Sequence, residues 1–279
     1  MRKNSTTLQS NFITSRLQGR TGNMMFQIAH AYAKSLEHNR QFVIPKSESS
    51  TTHLENTLFR KLDFNINLSN QVDNTKTVWV PFTYENIEPS NDCPTAYAGW
   101  FQSEKFFKKY SEIIKDLYSP TKNFVTRATD DFPFLKNSTV GAINVRRGDY
   151  LTQPTRHPVV TLDYINEAYK HLPFCDKIIV LSDDITWCKE NIVLPNLVFV
   201  ENYRDCEALW LLSLCDHFII SNSSFSWWGA YLSRSDNKIV ISPETWFGPD
   251  VSEDPRDIWC DDWIKIPTIW KDGFIHLKN

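Results

Sequence analysis

The chain has 279 residues, of which 41% are hydrophobic and 23% charged, as is ordinary for a globular protein with one large or two smaller domains. Its formal net charge of −3 argues against a dedicated nucleic-acid binder, because such proteins carry a basic excess. No run approaches the ~18 apolar residues of a membrane span, and the polar residues 1–15 lack the apolar core of a signal peptide. We therefore expect a cytoplasmic protein without a transmembrane segment, with the inner face of the membrane as an alternative location.

The six cysteines form no Cys-x-x-Cys pair, which removes the common zinc and redox patterns. Several lie in apolar stretches, as Cys206 and Cys215 do. We expect reduced, buried thiols.

Residues 12–18 predict a short strand that ends at a turn containing Gly19 and Gly22. Apolar residues at helical spacing from Phe26 onward predict a helix after the turn. Gly22 permits a positive φ or a close backbone approach, and the start of a helix attracts anions. The turn is neither a Walker A loop nor a G-x-G-x-x-G motif, so a plain tight turn remains the alternative.

Residues 45–95 are polar and irregular. Residues 96–100 predict a strand, and a helix around Phe106 is predicted to follow it. Gln102 and Glu104 lie where this helix begins. Capping of the helix is the preferred interpretation of these two residues, and contact with a polar ligand is the alternative.

After residue 138, short β-branched runs alternate with amphipathic patterns. The predicted strands are Thr139–Val145, Lys177–Leu181, Leu197–Glu201, His217–Ser221 and Lys238–Ser242. The predicted helices are Leu162–His171, Ile185–Asn191, Asp205–Cys215 and Phe225–Arg234. Such alternation is typical of an α/β fold in which crossover helices join parallel strands.

Polar residues follow the first four of these strands. They are Arg146, Arg147 and Asp149; Ser182, Asp183 and Asp184; Asn202; and Asn222 with Ser223, Ser224 and Ser226. Ligands of open parallel sheets bind outside the carboxyl ends of the strands, where all of these groups meet. Two guanidinium groups beside serines at a helix start predict a phosphate site, as for a nucleoside diphosphate. A rim salt bridge to Asp149 and N-capping by one serine are the alternatives.

Five motifs occur together in this order. They are Gly19–Asn23 with Met25–Gln27, Phe101–Lys105, Asn144–Tyr150, Leu181–Cys188 and Asn222–Gly229. In these motifs, over residues 16–245, the chain resembles the α-1,2-fucosyltransferases, glycosyltransferase family 11. The resemblance implies a GT-B-like fold with two Rossmann-like halves. It also implies transfer of L-fucose from GDP-β-L-fucose to the 2-hydroxyl of a galactoside, with inversion and with neither a bound metal nor a cofactor.

The resemblance also implies roles for individual residues. Arg146 would bind the β-phosphate, the serine motif would flank the diphosphate, and Asn23 would lie near the reacting centre. The expected catalytic residues are Arg146, Asn23, Glu104 and Asp149. The expected donor-binding residues are Arg20, Gly22, Asn144, Arg147, Asp183, Asn222, Ser223, Ser224, Phe225 and Ser226.

The sequence departs from the family at Asn144, where the family usually has histidine. Asparagine keeps a donor and an acceptor but carries no charge, so we expect it to hydrogen-bond the nucleotide. We expect Arg147 and Asp149 together to support the geometry around Arg146. Glu104 is the first candidate for a general base, with Asp149, Asp183, Asp184 and the absence of any side-chain base left open.

The expected domains are residues 1–137 on the acceptor side, 138–250 for GDP-fucose, and 251–279 packing back on both. The implied acceptor is a galactose-containing oligosaccharide or glycolipid. Two alternatives remain open: a fucosyltransferase of α-1,6 or α-1,3 linkage, and a catalytically silent protein that binds a nucleotide or glycan.

Overall fold

The structure is a computed structural model, and it describes residues 11–45, 57–62, 64–65 and 75–278. Most of the polar N-terminal stretch and parts of the irregular region 45–95 lie outside the described residues. The chain divides into two compact units. Unit 1 comprises Met1–Tyr118 and Arg256–Ile258, and unit 2 comprises Ser119–Pro255 and Trp259–Asn279.

Unit 1 is built on short parallel strands and one long helix. Its strands are β1 (Ile13–Ser15), β2 (Ile44–Pro45), β3 (Phe64–Asn65), β4 (Lys76–Trp79) and β5 (Thr95–Ala98), and its helices are α1 (Thr21–Glu37) and α2 (Ser111–Leu117). One parallel sheet has the order β1–β5–β4, and β2 pairs with β3. Helix α1 packs on β1 and buries Met25, Phe26 and Ile28 completely or almost completely.

The turn before α1 uses a different glycine from the one expected. Gly19 has the positive φ, at 78°, whereas Gly22 lies buried in the first turn of α1. The side chain of Gln27 fixes this turn, because it accepts from the backbone N–H of Gln18 and donates to the carbonyl of the same residue.

The helix expected around Phe106 consists of two 3₁₀ turns, Glu104–Phe106 and Lys108–Tyr110. Phe107, between them, has a φ of −144°, which interrupts any continuous helix. The two turns allow both Phe106 and Phe107 to be buried, although they are consecutive.

Unit 2 contains the alternating pattern that the sequence predicts. Its strands are β6 (Val140–Val145), β7 (Val159–Val160), β8 (Lys177–Ser182), β9 (Leu197–Phe199), β10 (His217–Ile220), β11 (Ile239–Pro243), β12 (Ile264–Ile266), β13 (Thr268–Lys271) and β14 (Phe274–Leu277). Its helices are α3 (Lys122–Asp131), α4 (Leu162–His171), α5 (Ile185–Asn191), α6 (Asp205–Leu212) and α7 (Ser224–Leu232). A six-stranded parallel sheet has the order β12–β11–β10–β6–β8–β9. The five predicted strands and four predicted helices are confirmed.

The chain passes from unit 1 to unit 2 after Tyr118, whereas the expected boundary lies between residues 137 and 138. Residues 119–137 belong to unit 2, because the ring of Phe124 packs 5.3 Å from Trp210 and Arg127 pairs with Glu207. The C-terminal segment also divides. Residues 256–258 join unit 1, while β12 extends the large sheet and β14 pairs with β7.

All six cysteines are free thiols and five are buried, as expected. Among the residues that the structure describes, no helix is both long enough and apolar enough to cross a membrane.

Candidate active site

The carboxyl ends of β6, β8 and β10 bring the predicted anion-binding residues together on unit 2. Strand β6 lies between the other two, and its register pairs Asn144 with both Leu181 and Ile220. Arg146, Asp183 and Asn222 each come two residues beyond these paired positions. The predicted convergence at one edge of the sheet is therefore confirmed.

Arg146 is held by two carboxylates. Its Nη2 donates to Asp149 at 2.5 Å, and its Nη1 lies 2.8 Å from Asp183 Oδ2. The guanidinium carbon also lies 5.6 Å from the ring centre of Tyr150. The two ion pairs occupy two of the five guanidinium N–H groups, which leaves donors for a ligand anion.

Arg147 pairs with a different carboxylate from those that hold Arg146. Its Nε donates to Asp184 at 3.1 Å, and its guanidinium lies 3.8 Å from the ring centre of Trp187. The two consecutive arginines are thus held by different partners, and Asp149 pairs with the first of them.

The adjacent carboxylates of Asp183 and Asp184 serve different partners. Asp183 accepts from the backbone N–H of Arg147 at 2.9 Å as well as pairing with Arg146. Asp184 caps α5 by accepting from the N–H of Trp187. Over the described ranges, no three His, Cys, Asp or Glu side chains group as metal ligands would.

Gly148 lies close to the carboxylate of Asp183. A Cβ atom at this residue would lie 2.5 Å from Asp183 Oδ2, well inside van der Waals contact. The glycine therefore lets the loop after β6 pass close to the carboxylate that orients Arg146.

The serine motif combines structural and accessible side chains. Ser223 is the N-cap of α7, with its hydroxyl accepting from the N–H of Phe225. Ser226 is fully buried, and its hydroxyl contacts both Ser221 and Asn144. Ser224 and Phe225 are half-buried, so they are the members of the motif that a ligand reaches most readily.

Asn144 is held inside unit 2 through both ends of its carboxamide, and its expected contact with the nucleotide stays a prediction. Its Nδ2 donates to the carbonyl of Leu181 at 3.0 Å, and its Oδ1 accepts from Ser226. The side chain is only 8% exposed, and both its polar groups are used inside the unit. Asn222 is also buried and donates through Nδ2 to the carbonyl of Trp246.

The remaining expected site residues lie in unit 1. Asn23, in the first turn of α1, accepts from Gln102 Nε2 at 2.9 Å. Arg20 is the N-cap residue of α1, and its side chain does not cap the helix. Glu104 pairs with Lys108 at 3.0 Å, with its side chain 14% exposed.

The preferred capping interpretation of Gln102 and Glu104 is wrong. Ser103 caps the 3₁₀ turn by accepting from the N–H of Lys105. A hydroxyl close to the backbone caps a tight turn better than a longer side chain.

Three contacts of the site were not expected from the sequence. Tyr150 lies beside Arg146, Trp187 stacks on Arg147, and Gln102 holds Asn23. All three residues lie inside the motifs that carried the resemblance, but residue spacing alone does not indicate which ring meets which guanidinium.

The sequence matches the family described as Glycosyl transferase family 11 over residues 2–267. The chain is 28% identical to an Escherichia coli α-1,2-colitosyltransferase, over 84% of this chain and 92% of that protein. It is also 28% identical to galactoside α-(1,2)-fucosyltransferase 2 of Oryctolagus cuniculus, over 40% of this chain and 39% of that protein.

A solved structure of similar fold is that of the α-1,6-fucosyltransferase NodZ soaked with GDP-fucose. Its TM-score is 0.51 at 14% sequence identity, and the match covers 81% of this chain and 93% of NodZ. At this identity the likeness concerns the fold alone, which is the GT-B-like fold of the fucosyltransferases, as the sequence predicted.

Proposed function

The chain belongs to glycosyl transferase family 11, and from this premise we propose that it transfers L-fucose from GDP-β-L-fucose to the 2-hydroxyl of a terminal galactoside. The product would be an α-1,2 linkage formed with inversion at the anomeric carbon. The acceptor would be a galactose-containing oligosaccharide or the glycan of a glycolipid.

One observation carries the donor half of this proposal: Arg146 and Asn222 lie beyond paired positions of adjacent parallel strands. This register brings a guanidinium group to the same edge as the start of α7. A helix start presents backbone N–H groups, and a guanidinium adds a fixed positive charge. Both features suit a diphosphate leaving group.

The chemistry follows from charge development at the leaving group. The bond between the anomeric carbon and the β-phosphate oxygen breaks, and its electron pair leaves with GDP. The acceptor hydroxyl forms the new bond from the opposite face and loses its proton. Arg146 and the half-buried Ser224 at the start of α7 would stabilise the negative charge that grows on the β-phosphate.

The acceptor half of the proposal rests on unit 1. Asn23 would lie near the reacting centre, where its contact with Gln102 fixes its carboxamide. Glu104 is the first candidate to receive the proton of the acceptor hydroxyl. A carboxylate is a common general base, and that of Glu104 pairs with Lys108 at 3.0 Å.

We further propose that the reaction requires neither a metal nor a cofactor. The cation that offsets the leaving-group charge would be the guanidinium of Arg146. Turnover would then be insensitive to EDTA.

A second donor is favoured by one comparison. The relative matched over 92% of its length is named a colitosyltransferase. Colitose is fucose without its 3-hydroxyl, so a site for one sugar has the shape needed for the other. GDP-colitose is therefore the alternative donor, with the same roles for Arg146 and the start of α7.

The test is GDP release by the purified protein with lactose as acceptor and with GDP-fucose or GDP-colitose as donor, each with and without EDTA. We expect turnover with GDP-fucose and a product that linkage analysis assigns as α-1,2. Turnover with GDP-colitose and none with GDP-fucose would identify GDP-colitose as the donor. A product with an α-1,6 or α-1,3 linkage would contradict the proposed α-1,2 linkage. Inactivity with every donor and β-galactoside acceptor would contradict the function.

A further inference from the structure

Tyr150 connects the two loops that meet at the carboxyl edge of the large sheet in unit 2. The residue lies in the 3₁₀ turn Gly148–Thr152, directly after β6 and the double arginine. Its hydroxyl donates to the backbone carbonyl of Asn222 at 3.1 Å, across 72 residues of chain. The phenol also interacts with Ser223, the N-cap of α7.

The ring of the same tyrosine lies beside the guanidinium of Arg146. The guanidinium carbon is 5.6 Å from the ring centre, within the range of a cation–π interaction. The ring of His157 stacks on Tyr150 with centres 4.9 Å apart and planes 20° apart. The tyrosine is therefore fixed both by its hydroxyl and by its ring.

The hydroxyl remains a hydrogen-bond donor over the whole physiological range. Burial raises the pKa of Tyr150 to about 12, and the nearby charge of Arg146 opposes this rise. The donor to the Asn222 carbonyl is consequently a neutral phenol at any pH at which the enzyme would work.

We propose that Tyr150 is a positioning residue, which fixes the Arg146 guanidinium relative to the start of α7 so that both meet the same β-phosphate. This inference rests on the proposed function, because it assigns a task to Tyr150 only if Arg146 binds the diphosphate. Asp149 and Asp183 hold the Nη atoms of the guanidinium. The tyrosine adds a connection to the neighbouring loop, through the backbone carbonyl of Asn222.

The proposal predicts that loss of Tyr150 weakens the binding of the β-phosphate and leaves the binding of the rest of the nucleotide unchanged. GDP carries this phosphate and GMP does not, so the ratio of their dissociation constants reports on Arg146 and the start of α7. Calorimetric titration of GDP and GMP would be made with wild type, Tyr150→Phe and Tyr150→Leu. Tyr150→Phe removes only the hydroxyl, and Tyr150→Leu removes the ring as well.

We expect Tyr150→Leu to reduce the preference for GDP over GMP roughly 5- to 30-fold, as for loss of one partly desolvated cation–π contact. Tyr150→Phe should reduce it less, by roughly 2- to 10-fold, as for one neutral hydrogen bond. In both variants kcat should fall while the KM for the acceptor stays near its wild-type value.

Tyr164→Phe is the matched control. Its hydroxyl is also buried and donates to the backbone carbonyls of Ile220 and Ile241, at the end of β10 and within β11. This variant should lose thermal stability and keep the wild-type preference for GDP over GMP.

The result that would overturn the proposal is an unchanged GDP-to-GMP ratio in Tyr150→Phe together with an unchanged ratio in any folded Tyr150→Leu protein. An equal loss of the ratio in Tyr164→Phe would also overturn it, since the effect would then be general. If wild type binds GDP no more tightly than GMP, the diphosphate assignment itself fails and the role of Tyr150 fails with it.

Discussion

The hydroxyl of Ser226 donates a hydrogen bond to the side-chain oxygen of Asn144, joining α7 to the end of β6 inside unit 2. The two residues are 82 positions apart in the chain, and both are buried. This contact separates the serine motif into a buried member, Ser226, that holds the site together and a half-buried member, Ser224, that a ligand reaches.

Ser226→Ala should therefore act on stability. The substitution leaves the buried Asn144 oxygen without its donor, which costs roughly 1–3 kcal/mol of the free energy of unfolding. Urea denaturation would measure it. Ser224→Ala is the companion variant, and we expect it to lower kcat while leaving the free energy of unfolding within about 0.5 kcal/mol. If Ser224→Ala were more destabilising than Ser226→Ala, the assignment of a structural role to Ser226 and a ligand role to Ser224 would be wrong.

Gly148→Ala should disturb catalysis through Asp183. The new methyl group would lie 2.5 Å from Asp183 Oδ2, so the carboxylate must move and release Arg146. A displacement of about 1 Å in a catalytic group costs on the order of 10²-fold in rate, and we expect a loss of kcat approaching that size. Because residue 148 is exposed, the melting temperature should change little. Wild-type kcat in Gly148→Ala would show that the position of Asp183 does not matter.

His30 should make the stability of the protein depend on pH. The ring is 1% exposed, stacks 4.3 Å from the ring of Phe101, and forms no hydrogen bond of good geometry through either nitrogen. Burial, with the charge of Lys34, lowers the pKa of His30 from 6.5 to about 3. Between these values the unfolded chain binds a proton that the folded chain does not, so stability falls as the pH falls.

The expected slope is about 1.4 kcal/mol per pH unit between the folded pKa of about 3 and the unfolded pKa of 6.5, and it is absent outside that range. His30→Phe keeps a ring in the cluster and removes the proton-binding group, so its stability should fall less steeply with acid. Free energies of unfolding at pH 5 and pH 7 would be compared for the two proteins. If the free energy of unfolding changes by the same amount between pH 5 and pH 7 in both proteins, His30 is not the source of the pH dependence.

The periodic part of the chain was predictable because its signals are local. Five β-branched runs and four amphipathic patterns are each determined by neighbouring residues, and parallel strands then place their carboxyl ends together. Unit 1 was less predictable, since Phe106 and Phe107 are consecutive buried residues and fit neither helical nor strand periodicity.

The residue types of the site were also predictable, but the partners of each side chain were not. The sequence places Asp149 three residues after Arg146 and two after Arg147, and either pairing is compatible with that spacing. The direction of each side chain at the strand end decides between them. Asn144 likewise received a ligand role from the family resemblance, whereas its contacts with Leu181 and Ser226 depend on the three-dimensional packing of β6, β8 and α7.

The most direct test of the account is the rate of GDP release from GDP-fucose in the presence of lactose, compared between wild type and Arg146→Ala. Removing a donor that stabilises the leaving-group charge should lower kcat by at least about 10²–10³-fold. Circular dichroism should show that the variant is folded. A folded Arg146→Ala protein with near-normal kcat would contradict the central claim that Arg146 stabilises the departing diphosphate.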